Sequence, residues 1–284
     1  MLENAQIKQY LQRIEYSQPV SPDFDTLSGL QWAHLTHIPY ENLDILAGIP
    51  LSLKAEDLFQ KIVTGKRGGY CFELQGLYGE LLKSSGFHLT QYSARFMDEP
   101  GIVQMRRHRV LVVQIGNERF LTDVGIRSES PRIPLKLVCG EIQSDGICEY
   151  RFERDSFYGW VLCQKERGKT WKTMYGFTEE PQIDDDFVMP SFYCERHPDS
   201  TFNKFMKISI FSGKSNFTLV KGVFQEYRNA KIQLRKKLTS QCETGNILKK
   251  YFGLDGYSYN PKEKKGGFAH AAQDENAPIN GQRN

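Results

Sequence analysis

The chain has 284 residues, of which 39% are apolar and 25% are charged, and its formal net charge is +3. This composition is typical of a globular protein, and so mild a charge argues against a nucleic-acid partner. No run of about 18 apolar residues occurs, and the N-terminus lacks the basic-then-apolar order of a signal peptide, so we expect a soluble, cytoplasmic protein without a membrane partner.

Apolar residues at helical spacing predict three helices before residue 66. The first covers residues 4–14, and the second begins after Asp23 and ends before Pro39. The third covers residues 54–65, and we expect Gly65 to close it as a C-terminal cap. The first part of the chain is therefore predicted to be helical.

A fourth helix is predicted in "TGKRGGYCFELQGLYGELLKSSG". It begins near Cys71 and ends before Gly86, which lies where a C-terminal cap belongs. Gly68 and Gly69 form the turn in front of it and let the backbone pass closely, leaving room for a substrate. Its apolar face consists of Leu74, Leu77, Tyr78, Leu81 and Leu82.

The middle of the chain changes to strand-like patterns. "RVLVVQIGNERFLTDVGI" predicts a β-hairpin with Gly116 and Asn117 as its turn. Three further strands are predicted in "EYRFERD", "YGWVLCQ" and "KTWKTMYGF". From about Asp184 the chain mixes helix and strand, and we expect the polar tail from Asn260 to lack a packed structure of its own.

Cys71 differs from the other cysteines in its surroundings. The positive end of a helix dipole favours the thiolate, and an imidazolium partner can lower a cysteine pKa from about 8.5 to roughly 3.5–7.5. The remaining cysteines match no zinc or disulfide framework, and we expect them to be buried and inert. They are Cys139, Cys148, Cys163, Cys194 and Cys242.

The predicted hairpin supplies a base and a carboxylate for that thiol. His108 lies just before its first strand, and Asp123 lies near the end of its second. A two-residue turn pairs Ile115 with Glu118 and makes Asp123 the diagonal neighbour of His108, about 7–8 Å away on the same face. The carboxylate can then hold one imidazole nitrogen and leave the other free for the thiol, as in a cysteine triad.

Three other patterns are weaker candidates for a site. His34 and His37 in "HLTH" are half a metal site, but packing is the preferred interpretation because no third ligand is near. Gly65-Lys66 resembles part of a phosphate-binding loop, yet the flanking residues do not fit. A basic cluster flanks the expected base and can be either a solvated surface or a polyphosphate site: Arg106, Arg107 and Arg109.

From about Tyr10 to Arg228 the chain resembles the arylamine N-acetyltransferases. The motifs that carry the resemblance appear in order: "YLQRIEY", "HIPYENLDI", "RGGYCFEL", "HRVLVV", "FLTDVGI", "PRIPLKL" and "HPDSTF". The combination of R-G-G-x-C-x-E with H-x-x-L-x-V and D-V-G at these distances is highly specific.

The resemblance implies an α+β fold with a cysteine-protease-like catalytic core. An N-terminal helical bundle is expected over residues 1–86, and a central β-barrel over residues 87–183. A C-terminal α/β lid would cover residues 184–259, and the polar tail would cover residues 260–284.

The resemblance also implies the reaction and the residues that serve it. Acetyl-CoA is the expected co-substrate and an arylamine, arylhydrazine or hydrazide the acceptor, with no bound cofactor or metal, in a monomer or small homo-oligomer. Cys71 is the expected nucleophile, His108 the base and Asp123 the orienting carboxylate. Arg67 and Glu41 are expected to brace the site. Contacts with substrate or coenzyme are expected from Gln104, Gly125, Ile126 and Arg127.

Two departures from the family pattern put the acceptor preference in question. Gln75 stands where the family usually has Asn, and Ile126 and Arg127 replace an aromatic residue and a glycine. Two other interpretations stay open: a cysteine hydrolase or transglutaminase-like enzyme, and a binding protein that has kept the fold without activity.

Overall fold

The computed structural model describes residues 1–97, 101–259 and 268–270. The predicted polar tail therefore lies outside the described residues, except for residues 268–270. The helices are α1 Asn4–Arg13, α2 Phe24–His37, α3 Leu43–Ala47, α4 Ala55–Phe59, α5 Cys71–Ser84, α6 Val188–Arg196 and α7 Gln241–Phe252. A π-helical turn covers Gln60–Thr64, and 3₁₀ turns cover Arg127–Glu129 and Asp184–Phe187.

Eight antiparallel strands form a sheet that is nearly closed into a barrel. They are β1 His88–Phe96, β2 His108–Ile115, β3 Glu118–Thr122, β4 Leu135–Lys136, β5 Gln143–Ser144, β6 Cys148–Asp155, β7 Gly159–Glu166 and β8 Lys172–Phe177. Their order is β4-β3-β2-β1-β8-β7-β6-β5. The side chain of Gln143 on β5 accepts from the backbone N–H of Lys136 on β4 (2.7 Å) and donates to its carbonyl (2.8 Å), linking the two edges.

A second antiparallel sheet follows the barrel. Its strands are β9 Lys207–Ser212, β10 Ser215–Val220, β11 Val223–Arg228 and β12 Lys231–Lys237, in the order β12-β11-β10-β9. A two-stranded sheet joins β13 Tyr257–Tyr259 to β14 Phe268–His270. With helices before and after the barrel, the fold is α+β, as predicted.

Helix α5 lies at the centre of the largest apolar cluster. Every residue from Cys71 to Leu82 is buried, the polar Gln75 and Glu80 included. Its glycines allow close neighbours, since a Cβ on Gly76 would lie 3.0 Å from the guanidinium of Arg109. Gly86 (φ +87°) follows the helix in the left-handed region, as predicted for a C-terminal glycine.

The third predicted helix is shorter than expected. The α-helical hydrogen-bond pattern ends at Phe59, and the chain continues as a π-helical turn to Thr64. Gly65 is not a left-handed cap, because its φ is −78° and the residue with positive φ is Lys66. Glycine fits at position 65 because there is no space for a side chain. A Cβ there would lie 2.8 Å from the carbonyl oxygen of Lys61.

The strand predictions are accurate for five of the eight barrel strands. The hairpin has its two-residue turn, with Ile115 opposite Glu118, and β6, β7 and β8 cover the three later predictions. No strand is predicted for the two-residue strands β4 and β5 or for the longer segment His88–Phe96, which is β1. That segment contains few β-branched residues, and it is a strand because β2 and β8 pair with it on both sides.

The turn before α5 generates a prediction about stability. A Cβ on Gly68 would lie 2.0 Å from the backbone oxygen of Pro39, so Gly68→Ala should destabilise the fold by about 3 kcal/mol. Gly79→Ala is the matched control, because its Cβ meets only Leu111 at 3.5 Å, and alanine should stabilise the helix by up to about 1 kcal/mol. Urea unfolding measures both, and equal stability of the two variants would contradict the close packing at Gly68.

Candidate active site

Cys71 is the first residue of α5. The side chain of Glu73 accepts a hydrogen bond from the backbone N–H of Tyr70 (3.1 Å), which fixes the start of the helix. The glycines before it serve close packing and not substrate space, because Pro39, Glu41 and Glu73 fill the volume beside them. The thiol is 2% exposed, and its Sγ lies 3.8 Å from the carbonyl oxygen of Arg107.

His108 and Asp123 form a buried hydrogen bond. His108 is the first residue of β2 and pairs with Ala94, while Asp123 directly follows β3. The Nε2 atom of His108 lies 2.7 Å from Oδ2 of Asp123, as the hairpin register predicted. A carboxylate can only accept here, so Nε2 carries the proton. The Nδ1 atom is buried and has no partner among the described residues, which leaves its lone pair available.

Two contacts bring these residues to Cys71. Arg107, whose carbonyl oxygen is the neighbour of Sγ, directly precedes His108. Gly125 lies two residues after Asp123, and a Cβ there would be 3.2 Å from the Cβ of Cys71. The structure therefore brings Cys71, His108 and Asp123 into one buried region.

Asp123 accepts four hydrogen bonds. Besides His108, Oδ2 accepts from the hydroxyl of Tyr175 (2.8 Å). Oδ1 accepts from the Gln75 side chain (3.1 Å) and from the backbone N–H of Gly125 (2.8 Å). The predictions from sequence include neither of these two side chains as a partner of the carboxylate. Gln75 carried a signal, because it stands at a family motif position, whereas nothing local to Tyr175 indicated its partner.

The pKa of the Cys71 thiol is shifted in the direction opposite to the one expected. Burial raises this pKa well above its ordinary value, the nearby Cys194 and Asp123 raise it further, and the backbone N–H of Phe72 lowers it. Desolvation of the thiolate thus outweighs the stabilisation that the helix N-terminus gives to its negative charge. Burial therefore favours the neutral thiol over the thiolate.

Below the start of α5 lies a buried network of ion pairs. Arg67 donates to Oε1 of Glu41 through Nε (3.0 Å) and Nη2 (2.8 Å), and to Asp44 (2.7 Å). Lys61 contacts both Asp44 (2.8 Å) and Glu73 (2.7 Å). Although burial opposes the charge on Lys61, its acidic neighbours raise its pKa. Arg67 and Glu41 thus contact the supporting network and not the cavity at Cys71.

A cavity of about 170 Å³ opens beside Cys71. Three of the four residues expected to contact ligands line it, namely Gly125, Ile126 and Arg127. The fourth, Gln104, does not line it and instead accepts a hydrogen bond from Arg107, which does. The rest of the lining is partly apolar and partly charged: Tyr40, Phe96, Glu129, Lys172, Met174, Thr201, Phe202 and Lys207.

The basic cluster around His108 divides into three environments. Arg106 forms an ion pair with Glu180 at the surface (2.6 Å). Arg107 lines the cavity beside Cys71. Arg109 is 1% exposed, lies over the ring of Phe187 and pairs with Asp184. The cluster is therefore neither a single solvated surface nor a single anion site.

The remaining sequence candidates have structural roles. Nδ1 of His34 lies 2.9 Å from the hydroxyl of Tyr10, and burial lowers the pKa of His34 to about 3. Among the described residues, no group of three or more His, Cys, Asp or Glu is arranged to hold a metal ion. None of the helices in the described ranges is long and apolar enough to cross a bilayer.

The burial expected for the five other cysteines is wrong for two of them. Cys139 and Cys242 are exposed, whereas the other three are buried. Cys139 lies in the loop after β4, and Cys242 lies in the first turn of α7, where neither an opposing sheet nor a helix covers it. The sequence around these two positions shows no apolar periodicity from which their exposure could be predicted.

Comparisons with known proteins identify the family. The profile of the N-acetyltransferase family matches residues 23–256. An arylamine N-acetyltransferase of Mycolicibacterium smegmatis is 35% identical over 218 residues, which are 74% of this chain and 78% of that protein. The solved structure of the arylamine N-acetyltransferase from Salmonella typhimurium has a TM-score of 0.86 at 27% identity, covering 95% of this chain and 97% of that one.

A third relative has been solved with the coenzyme bound. The structure of the Mycobacterium marinum arylamine N-acetyltransferase in complex with CoA has a TM-score of 0.81 and 29% identity, covering 87% of this chain and 92% of that one. The match of the family profile spans most of the chain, and the curated relative exceeds 30% identity over a comparable share. This protein is therefore an acetyltransferase and belongs to the arylamine N-acetyltransferase family.

Proposed function

We propose that this protein transfers an acetyl group from acetyl-CoA, through an acetyl-Cys71 intermediate, to the nitrogen of an arylamine, arylhydrazine or hydrazide. One observation carries the proposal. Nε2 of His108 donates to Asp123 (2.7 Å), and Nδ1 is buried and has no partner among the described residues. The carbonyl oxygen of the preceding residue, Arg107, lies 3.8 Å from the Cys71 sulfur. Such an arrangement of nucleophile, base and orienting carboxylate suits acyl transfer.

In the first half-reaction, Sγ of Cys71 attacks the carbonyl carbon of acetyl-CoA as its proton moves to Nδ1 of His108. The bond between that carbon and the coenzyme sulfur then breaks, and the departing thiolate takes the proton from the imidazolium. Asp123 stabilises the transient imidazolium through Nε2. The oxyanion is stabilised by backbone N–H groups in the first turn of α5, which have no partner within the helix.

In the second half-reaction, the amine nitrogen attacks the acetyl carbon of acetyl-Cys71 and gives a proton to Nδ1 of His108. The carbon–sulfur bond breaks, and the Cys71 sulfur recovers the proton as the amide leaves. Arylamines suit this site because their nitrogen is largely unprotonated at neutral pH and is therefore nucleophilic. In both half-reactions, His108 accepts the proton of the attacking group and then gives it to the departing sulfur.

In this mechanism, each part of the chain has a role in a cysteine-protease-like core. Residues 1–86 carry the nucleophile, residues 87–183 carry the base and its carboxylate, and residues 184–259 form a lid beside the cavity. Support for the lid comes from Asn42, whose side chain donates to the carbonyl of Phe202 (2.7 Å), a cavity residue from the third part. Arg67 and Glu41 brace the start of this core.

The intermediate provides the direct test. Mixed with acetyl-CoA in the absence of any amine, the protein should gain one acetyl group on Cys71 within seconds, as measured by intact mass and peptide mapping. An arylamine should remove it faster than water does, because the amine is the better nucleophile. Cys71→Ser is the control and should gain none on this timescale. A folded wild-type protein that forms no adduct and releases no coenzyme would overturn the proposal.

The orienting carboxylate provides a second test. Asp123→Asn removes the charge that stabilises the imidazolium, and we expect the rate of Cys71 acetylation to fall roughly a thousandfold or more. Asp145→Asn is a matched control, because Asp145 is equally buried and accepts from the hydroxyl of Tyr150 (3.0 Å) but lies away from Cys71. Stopped-flow release of coenzyme A measures both rates, and similar rates for the two variants would rule out the role of Asp123.

A further inference from the structure

A lysine side chain borders the same cavity as the Cys71 thiol. Lys207 is the first residue of β9, and both residues line the cavity of about 170 Å³. That volume is close to the engineered cavities of about 150 Å³ that hold benzene, so its opposite walls are separated by about the width of one ring. A group attached to Cys71 inside this cavity is therefore close to the Lys207 side chain.

Backbone pairing fixes the separation of the two segments. Ser209 on β9 exchanges two backbone hydrogen bonds with Tyr40 (2.9 and 3.0 Å), and Tyr40 is bridged on its other side to Gly69. Lys207 lies two residues before Ser209, and therefore on the same face of β9. Cys71 lies two residues after Gly69. Adjacent strands are about 4.8 Å apart, so the two backbones are about 10 Å apart, and the four-carbon stem of a lysine covers much of that distance.

Neutral groups hold the amine of Lys207. Its Nζ donates to the hydroxyl of Thr201 (2.5 Å) and lies 4.1 Å from the centre of the Phe202 ring. In the part of the chain that the structure describes, no Asp or Glu lies within ion-pair distance of it, and the charged groups that influence it most are Arg127 and Arg107. The amine is thus placed in the cavity without a carboxylate to hold its proton.

These surroundings lower the pKa of Lys207 to about 7. Burial is the main cause, and the charges of Arg127 and Arg107 contribute to the decrease. About half of the amine is therefore unprotonated at pH 7, whereas a lysine with the ordinary pKa of about 10.4 is unprotonated in fewer than about one molecule in a thousand. Only the unprotonated amine has a lone pair that can attack a carbonyl carbon.

The second lysine of the cavity is held differently. Lys172 lines the same cavity, but its Nζ forms an ion pair with Glu129 (2.8 Å), and half of its side chain is exposed. Its amine is thus occupied by a carboxylate, whereas that of Lys207 is not. Lys172 therefore serves as an internal control for any reaction in which a lysine of this cavity takes part.

We propose that Lys207 accepts the acetyl group of acetyl-Cys71 when no arylamine is present, so that the protein acetylates itself at Nζ. The neutral amine attacks the acetyl carbon, a carbon–nitrogen bond forms, and the carbon–sulfur bond breaks. One proton of Nζ passes through Nδ1 of His108 to the departing sulfur, which leaves acetyl-Lys207 and a free Cys71 thiol. This inference rests on the proposed function and adds a modification site to it.

The modification changes the cavity in two ways. It removes the positive charge of Lys207, and the added acetyl group fills part of a volume of only about 170 Å³. Less space then remains for an acceptor, so activity with an arylamine should fall as acetyl-Lys207 accumulates. An arylamine present from the start should protect the protein, because it removes the acetyl group from Cys71 before the lysine does.

The test incubates the full protein with acetyl-CoA in the absence of any amine. One sample is mapped at once for acetyl-Cys71, and a second is first treated with neutral hydroxylamine, which cleaves thioesters and leaves amides intact. Acetyl occupancy at Lys207 in the second sample should be about tenfold or more above that at Lys172. An arylamine added from the start should lower the Lys207 occupancy severalfold, and hydroxylamine should not restore the activity lost during incubation.

Three variants identify the route and the site. Cys71→Ala should carry no acetyl group on Lys207, because the transfer passes through the thioester. Lys207→Arg keeps the charge and should retain its own starting activity through an incubation in which the wild-type protein loses activity severalfold. Lys204→Arg is the matched control, since Lys204 is exposed and lies outside the cavity, and it should lose activity as the wild-type protein does.

The outcomes separate this inference from the function on which it rests. If acetyl-Cys71 forms and Lys207 stays unmodified, the inference is wrong and the proposed function stands. Equal acetylation of Lys207 in Cys71→Ala and in the wild-type protein would also overturn the inference, because acetyl-CoA then reacts with the lysine directly. Absence of acetyl-Cys71 from the first sample, with no acetyl-Lys207 in the second, would overturn the proposed function and this inference with it.

Discussion

The buried carboxylate of Asp123 joins the central helix to the barrel. Its four hydrogen-bond donors come from four different parts of the chain: β2, β8, α5 and the loop that follows Asp123 itself. A carboxylate without such donors would be very costly to bury, so each donor element must be in place before the site is stable. The same carboxylate fixes the tautomer of His108. Fold and chemistry therefore depend on one group.

The chemistry at Cys71 follows from how the thiol is buried. Burial raises its pKa, and Cys194, Asp123 and Glu73 add to the effect, which favours the neutral thiol. In the proposed mechanism, the nucleophile becomes active when His108 accepts the proton of the thiol, and Asp123 favours that step. The backbone at Gly125 packs closely against Cys71, because a Cβ there would lie 3.1 Å from the Cα of Cys71 and 3.2 Å from its Cβ. In that mechanism, burial makes the reactivity of the thiol depend on the base.

Local patterns were sufficient for much of the fold and for the three central residues. Residues near in sequence determine the apolar periodicity of α5 and the two-residue turn of the hairpin. The turn also fixes the position of Asp123 relative to His108. The missed features depend on distant residues. Strand β1 exists because two other strands pair with it, and Tyr175 reaches Asp123 from a strand 52 residues later. The pKa direction at Cys71 depends on packing density, which no motif encodes.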